Sequence, residues 1–296
     1  MKILIIGANG QVGHSLKKFL KKSYKLKAIA REDVDCSEIQ EVEKFFSKNV
    51  YDLIINAVAY TNVDAAEKEI DLAYKLNENF PYELAKISKS TNATLIHFST
   101  DYVFDGKKQD SYIESDQTIP INVYGKSKLK GEKAIIENCS RYFIFRTSWV
   151  MGEHGDNFIK KIINLAKNKN ELKVVNDQYG VPTSVNLINR VIFSLIQNLK
   201  YKKNWPYGIY HLSPRGKTTW YQLTNFFFDI VKIEKLNFQI SKNNIVPINS
   251  SEFKTLATRP KNSLLNTDKI QKYLEFSLPN WKDDFKELIN KIIKNL

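Results

Sequence analysis

The chain has 296 residues, 43% hydrophobic and 26% charged, which fits an ordinary globular protein of one large domain or two moderate ones. Its apolar runs fall far short of the ~20 residues of a membrane helix, and its N-terminus lacks a signal-peptide pattern, so a cytoplasmic protein is expected. The formal charge is +13, but only six of the 45 basic residues are arginines and the lysines are scattered; this argues against a nucleic-acid surface and for attraction of small anions.

Short β-branched runs at 2–7, 25–30, 52–57, 93–99 and 142–148 alternate with amphipathic segments at 12–22, 37–48, 77–90 and 123–137. Alternation of this kind predicts an α/β fold with a doubly wound parallel sheet covered on both faces. The second half is less regular. Helices are expected over 156–167, 184–199 and 218–231, strands over 173–177 and 208–213, and a final helix from 281 onward. The aromatic run 225–229 reads as core. The expected division is 1–150 for a dinucleotide-binding domain and 151–296 for a smaller mixed α/β substrate domain, with helix 184–199 returning to the first. Two distant cysteines and four histidines, Cys36, Cys139, His14, His97, His154 and His211, show no metal-ligand spacing.

Four of the apolar strands end in polar clusters. In an open parallel sheet, ligands bind at those carboxyl ends. The first cluster, Gly7-Ala8-Asn9-Gly10-Gln11-Val12-Gly13, links a strand to a helix and suits a dinucleotide diphosphate at the helix N-terminus. Its G-x-x-G-x-x-G spacing differs from the dehydrogenase G-x-G-x-x-G. After the second strand, "AREDVD" offers Arg31 for the 2′-phosphate of NADP, or Asp33 or Asp35 for the ribose of NAD. NADPH is expected, with NADH tolerated. In the fourth strand's cluster, 99–106, Thr100 either caps a turn or meets a ligand, and His97 reads as a core histidine.

Tyr124 and Lys128 stand four residues apart on a predicted helix that begins after the fourth cluster. A lysine ammonium ~4 Å from a tyrosine, at an effective dielectric of about 20, supplies ~4 kcal/mol, or about three pKa units. That would turn the tyrosine into a competent acid. The spacing alone is uninformative, since 15 tyrosines in so lysine-rich a chain give roughly two such pairs by chance. The second pair, Tyr82 and Lys86, lies where nothing directs it to the sheet edge and reads as surface or packing.

The stretches "GANGQVG", "NAVAYTNVDAAE", "STDYVFDG", "NVYGKSKLKGE", "RTSWVMG", "NDQYGVPTS", "GIYHLSPRGKTTWYQL" and "RPKNSLLNT" run nearly end to end. They resemble the extended short-chain dehydrogenase/reductase superfamily, which has a Rossmann-type fold, and within it the dTDP-4-dehydrorhamnose reductase family. The resemblance implies NAD(P)H-dependent reduction of the C4 ketone of dTDP-4-dehydro-β-L-rhamnose. It implies that Thr100 binds that carbonyl, that Tyr124 donates the proton, and that Lys128 lowers the tyrosine pKa and holds the nicotinamide ribose. The cofactor would lie over Gly10–Val12 and along Ala57, Ala59, Tyr60 and Thr61; Asp101 and Trp149 would contact the sugar nucleotide, and Arg259 its diphosphate. Tyr102, the most visible tyrosine of the fourth cluster, is not the expected acid. Two rivals are a reductase of a related nucleotide-linked 4-keto-6-deoxysugar and a non-catalytic reductase-like regulatory subunit. Some family members form a magnesium-bridged dimer through carboxylates whose positions here are read as Ser15 and Asn186. Neither is an acid, so no metal is expected, and a monomer or a homodimer is equally compatible.

Overall fold

A computed structural model describes residues 1–201, 204–231, 236 and 238–294. The apolar runs of the first half form β1 (Ile3–Ile6), β2 (Leu26–Ile29), β3 (Leu53–Asn56), β4 (Thr94–Thr100) and β5 (Tyr142–Thr147). A later strand, β6 (Gly208–His211), completes a six-stranded sheet in the order β6-β5-β4-β3-β1-β2. All its neighbours pair in parallel. The order reverses at β1, between β2 and β3, which is the switch point at which open α/β sheets bind ligands.

Helices cover both faces. On one lie α1 (Gln11–Leu20) and α5 (Val185–Lys200), packed on Ile3, Ile5, Leu53, Ile55, Ile96, Phe143 and Phe145. On the other lie α2 (Ile39–Phe46), α3 (Phe80–Thr91) and α4 (Val123–Asn138), packed on Leu4, Ile6, Ile54, Leu95 and Ile144. Neighbouring residues of each strand thus serve opposite faces. Each buried side chain of this kind contributes roughly 1.5–3 kcal/mol, more than the ~1 kcal/mol span of β propensity. Two-sided burial therefore explains why the strands read as continuous apolar runs.

A second core gathers helices Phe158–Asn168, Trp220–Ile230 and Trp281–Lys294 beside a short parallel pair, Leu172–Val175 with Ile245–Ile248. Phe227 and Phe228 from the aromatic run are part of it. The expected last helix extended to 296, and residues 295 and 296 lie outside the described residues. Among the described residues no helix is long and apolar enough to cross a membrane.

The expected elements differ from the observed ones mainly at their ends. The segment expected as a helix from 77 opens instead as a π-helical turn, Lys75–Asn79, running into α3. The strand Ile245–Ile248 was not anticipated, because Pro247 cannot donate to a ladder and marks the sequence as a poor strand. It sits in a two-stranded pair, where a missing donor is tolerated.

Candidate active site

The glycine-rich turn crosses from β1 to α1. Gly7 has φ of 88°, and a Cβ there would meet the Ala57 backbone at 2.9 Å. Gly13 has no room for a side chain, since a Cβ would lie 2.1 Å from the Gly7 carbonyl oxygen. These two residues shape the turn without lining the cleft. Gly10 caps α1 and, having no side chain, leaves the first helical N–H groups without a side-chain cap. Those donors fit an anion such as a dinucleotide diphosphate.

A cleft of about 630 Å³ opens over this turn. Asn9, Gly10, Gln11 and Val12 line it from one side, Ala57, Ala59 and Thr61 from the end of β3, and Thr100, Asp101, Tyr124, Lys128 and Trp149 from the other. So most of the expected site residues meet at one place. Tyr60 is not among the lining residues. Its backbone is clamped by buried Asn77, whose Oδ1 accepts from the Tyr60 N–H (2.9 Å) and whose Nδ2 donates to the Tyr60 carbonyl (3.1 Å).

Arg31 and Asp35 also lie outside the lining. Sequence reading set them against each other as NADP and NAD readers, but they are partners: Arg31 Nε and Nη2 both donate to Asp35 Oδ2, at 3.2 and 3.1 Å. Hydrogen bonds from Ser37 and from Arg31 hold the Asp35 carboxyl below the usual range. The Arg31 side chain is 79% exposed, so much of the guanidinium is open to an anion.

Helix α4 delivers the tyrosine and the lysine. Its N-cap, Asn122, accepts from the Gly125 N–H at 2.8 Å and donates to the Thr258 carbonyl at 2.8 Å, which fixes the helix start against the C-terminal half of the chain. Tyr124 is partly exposed to the cleft, and burial of its hydroxyl pushes the pKa up to about 12, with a hydrogen bond to Thr100 acting the other way. This direction is opposite to the lowering expected from Lys128. Lys128 is wholly buried too: its Nζ donates to the Phe98 carbonyl (2.7 Å) and lies 3.2 Å from His97 Nε2. Burial lowers its pKa to about 7, with the Glu132 charge acting the other way.

Thr100 donates to Asp101 Oδ1 at 3.0 Å and accepts from the Tyr102 N–H at 3.2 Å. It caps a turn and also faces the cleft. Burial raises the Asp101 carboxyl to about 6, against hydrogen bonds from Ser263 and Thr100. Trp149 adopts φ of 47°, an uncommon conformation for a bulky residue. It is held there by stacking on Trp220, with ring centroids 3.4 Å apart. Tyr102 lines the same cleft and stands edge-on to Tyr124 at 5.6 Å.

Beside this cleft runs a groove of about 920 Å³ that shares Tyr102 and Trp220 with it and carries Lys161, Lys173, Lys254, Arg259 and Lys261. Arg259 is placed there, not in the first cleft. Its Nη2 and Nη1 fork onto Asp64 at 2.6 and 3.2 Å.

Sequence reading missed Asn77, Thr147 and Trp220. Trp220 and Thr147 both line the cleft, and the buried Thr147 hydroxyl has no hydrogen-bond partner among the described residues. A signal for Thr147 existed, since it lies in the polar cluster that ends β5. Asn77 gave none in so asparagine-rich a sequence. Ser15 meets Asn189 Nδ2 at 2.8 Å, not Asn186, and no cluster of metal-ligating side chains occurs among the described residues.

The second Tyr/Lys pair is on the surface. Tyr82 is 39% exposed and Lys86 Nζ pairs with Glu83 at 3.0 Å. Tyr82→Phe is therefore expected to leave the turnover rate within about twofold of the native chain. A loss comparable to that of an active-site tyrosine would show that the wrong pair has been assigned.

Comparison with known proteins agrees with this geometry. The family model for the RmlD substrate binding domain matches residues 1–294. A dTDP-4-dehydrorhamnose reductase from Salmonella typhimurium is 39% identical, with 99% of this chain and 98% of the relative covered. Among solved structures, a dTDP-4-dehydrorhamnose reductase from Clostridium acetobutylicum superposes with a TM-score of 0.88 at 37% identity, covering 99% of this chain and 100% of that one. One from Bacillus anthracis, solved in complex with NADP, gives 0.87 at 33% identity, covering 98% and 99%. A UDP-galactose 4-epimerase at 15% identity, with a TM-score of 0.79, shares the fold. Matched along its whole length in sequence and in fold, the chain belongs to the RmlD family of dTDP-4-dehydrorhamnose reductases.

Proposed function

We propose that this chain reduces the C4 ketone of dTDP-4-dehydro-β-L-rhamnose to give dTDP-L-rhamnose, with Tyr124 as proton donor and NADPH as reductant. The observation that carries this reading is the convergence of the open α1 N-terminus, Thr100, Tyr124 and Lys128 on one cleft at the switch point of the sheet. The residues present fit a dinucleotide: uncapped N–H groups at Gln11 and Val12, a floor of small residues at Ala57 and Ala59, and exposed Arg31 beyond. When bound, the dihydronicotinamide supplies a hydride to the ketone carbon.

The rest is the work of the chain. Thr100 holds the ketone oxygen beside Tyr124, and the tyrosine hydroxyl gives its proton to that oxygen as negative charge develops there. Lys128 supports the Tyr124 side of the site and the nicotinamide ribose. Asp101 and the Trp149–Trp220 stack position the sugar. Lys161, Lys173, Lys254 and Lys261 in the adjacent groove meet the nucleotide diphosphate, and Arg259 joins them if its fork leaves Asp64. Residues 151–296 thus supply most of the substrate side, and 1–150 most of the cofactor side.

The reading is tested by mixing the chain with NADPH and the dTDP-linked ketone and following loss of dihydronicotinamide absorbance. Substrate-dependent loss supports it, and absence of turnover with either NADPH or NADH would sink it. Arg31→Ala is expected to raise KM for NADPH by about tenfold, the loss of one exposed charge-assisted contact of ~1.5 kcal/mol, and to leave KM for NADH nearly unchanged. Equal losses with both cofactors would remove Arg31 from the 2′-phosphate site.

A further inference from the structure

Trp149 is held in a conformation that the proposed reaction uses but does not explain. A φ of 47° is rare for a bulky side chain and persists only where the surroundings over-determine it. Residues 181–184 supply the backbone part. The Trp149 carbonyl accepts from the Thr183 N–H at 3.2 Å, and the Ser148 hydroxyl donates to the Val181 carbonyl at 3.2 Å. Val150–Met151 then pairs in parallel with Thr183–Ser184.

The ring is held by Gly180 and Trp220. A Cβ on Gly180 would lie 2.6 Å from Trp149 Cε2 and 2.7 Å from Cζ2, so the indole fills the space of a side chain. Gly180 is not among the glycines with positive φ, so its backbone suits any residue and only the indole demands glycine. The strand that carries it is pinned on both edges. Tyr179–Gly180 pairs antiparallel with Thr218–Thr219 on one side. On the other, the Tyr179 N–H donates to the Lys261 carbonyl and the Tyr179 carbonyl accepts from the Ser263 N–H, both at 2.8 Å. The same ribbon leads straight into Trp220, the first residue of a helix whose cap, Thr219, accepts from the Gln222 N–H at 3.1 Å. The Trp220 ring lies 12° from parallel to Trp149, and Phe158 leans on Trp220 at 4.4 Å. Slot and backing are therefore parts of one hydrogen-bonded unit.

Trp149 lines the cleft, and Trp220 and Phe158 line both the cleft and the basic groove beside it. The stack is thus a wall between the two cavities. A nucleotide sugar with its ketone at Thr100 and its diphosphate among the groove lysines crosses this wall. A cofactor with its diphosphate at the α1 N-terminus does not.

We propose that Gly180 and Trp220 are positioning residues that preset the Trp149 indole as this wall, and so set the affinity for the sugar nucleotide. Both act through Trp149. The inference rests on the reading that Trp149 faces the sugar.

The test joins circular dichroism of the full chain to steady-state kinetics. Of the four tryptophans, only Trp149 and Trp220 have their rings in contact among the described residues. Stacked indoles couple their transitions, so the ligand-free chain is expected to show an exciton couplet that Trp149→Leu and Trp220→Leu each abolish. Gly180→Ala is expected to remove most of the couplet and keep the helical signal. It should raise KM for dTDP-4-dehydro-β-L-rhamnose by about tenfold, with kcat within about threefold and KM for NADPH within about twofold. Trp220→Leu, which leaves the ribbon untouched, carries the same kinetic expectation. In a Trp149→Leu background, Gly180→Ala should add less than about twofold, because the group it displaces is gone. A native chain without the couplet, or a Gly180→Ala variant that keeps either the native couplet or the native KM, would overturn the preset wall. A full further loss in the Trp149→Leu background would overturn it as well. Native KM in Trp149→Leu would instead overturn the sugar-facing role of Trp149 and with it the effect on affinity, while a couplet sensitive to Gly180 would still establish the slot.

Discussion

Tyr124→Phe is expected to cut NADPH-dependent reduction by at least about a hundredfold, in the range a positioned general acid contributes, with NADPH affinity within about twofold of native. The phenyl ring keeps the edge contact with Tyr102 and removes only the hydroxyl. A loss confined to kcat, with cofactor binding intact by fluorescence titration, would mark the hydroxyl as acting on the reaction and not on assembly of the site. Tyr102 is the natural control. It lines the same cleft, and burial together with the Asp101 charge raises its hydroxyl pKa further than that of Tyr124. It stands outside the Thr100, Tyr124 and Lys128 assignment, so Tyr102→Phe should keep most of the rate. If Tyr102→Phe abolished turnover and Tyr124→Phe did not, the acid would have to be reassigned.

The second large effect is on stability. Arg146 on β5 donates through Nε and Nη2 to Glu132 on α4, at 2.9 and 2.6 Å, and both side chains are almost completely buried, at 3% and 1% exposure. The Ser99 hydroxyl donates to the same carboxylate. This cluster ties the helix carrying Tyr124 and Lys128 to β4 and β5. Arg146→Met leaves a buried carboxylate with only the serine for company, and should cost about 3–5 kcal/mol in urea unfolding. Removing the carboxylate as well, in Arg146→Met with Glu132→Leu, should recover much of that loss, because the desolvation cost goes with it. A single variant within about 1 kcal/mol of native would mean that water reaches the pair and that it does not anchor the helix.

The sheet was legible because burial on two faces leaves continuous apolar runs such as Ile3–Ile6 and 53–55. The cleft was legible because polar clusters ended those runs on the side where a parallel sheet binds ligands. What was not legible depended on contacts distant in sequence. Nothing in "AREDVD" shows that Arg31 and Asp35 bind each other. Nothing near Arg259 shows that it forks onto Asp64, 195 residues earlier. His97 looked like an inert core residue, and only the fold places its ring between Asn56 and Lys128. The electrostatic expectation for Tyr124 was incomplete for the same reason. It counted the lysine's charge and not the burial of the tyrosine's own hydroxyl, and burial is a property of the packed helix and sheet.

The most direct measurement uses NADPH carrying deuterium at both C4 positions of the dihydronicotinamide, incubated with the native chain and dTDP-4-dehydro-β-L-rhamnose. The product is expected to be dTDP-L-rhamnose bearing one deuterium, located at C4 of the sugar by NMR. Unlabelled product, deuterium at another carbon, or no product would contradict hydride delivery to the C4 ketone in this cleft.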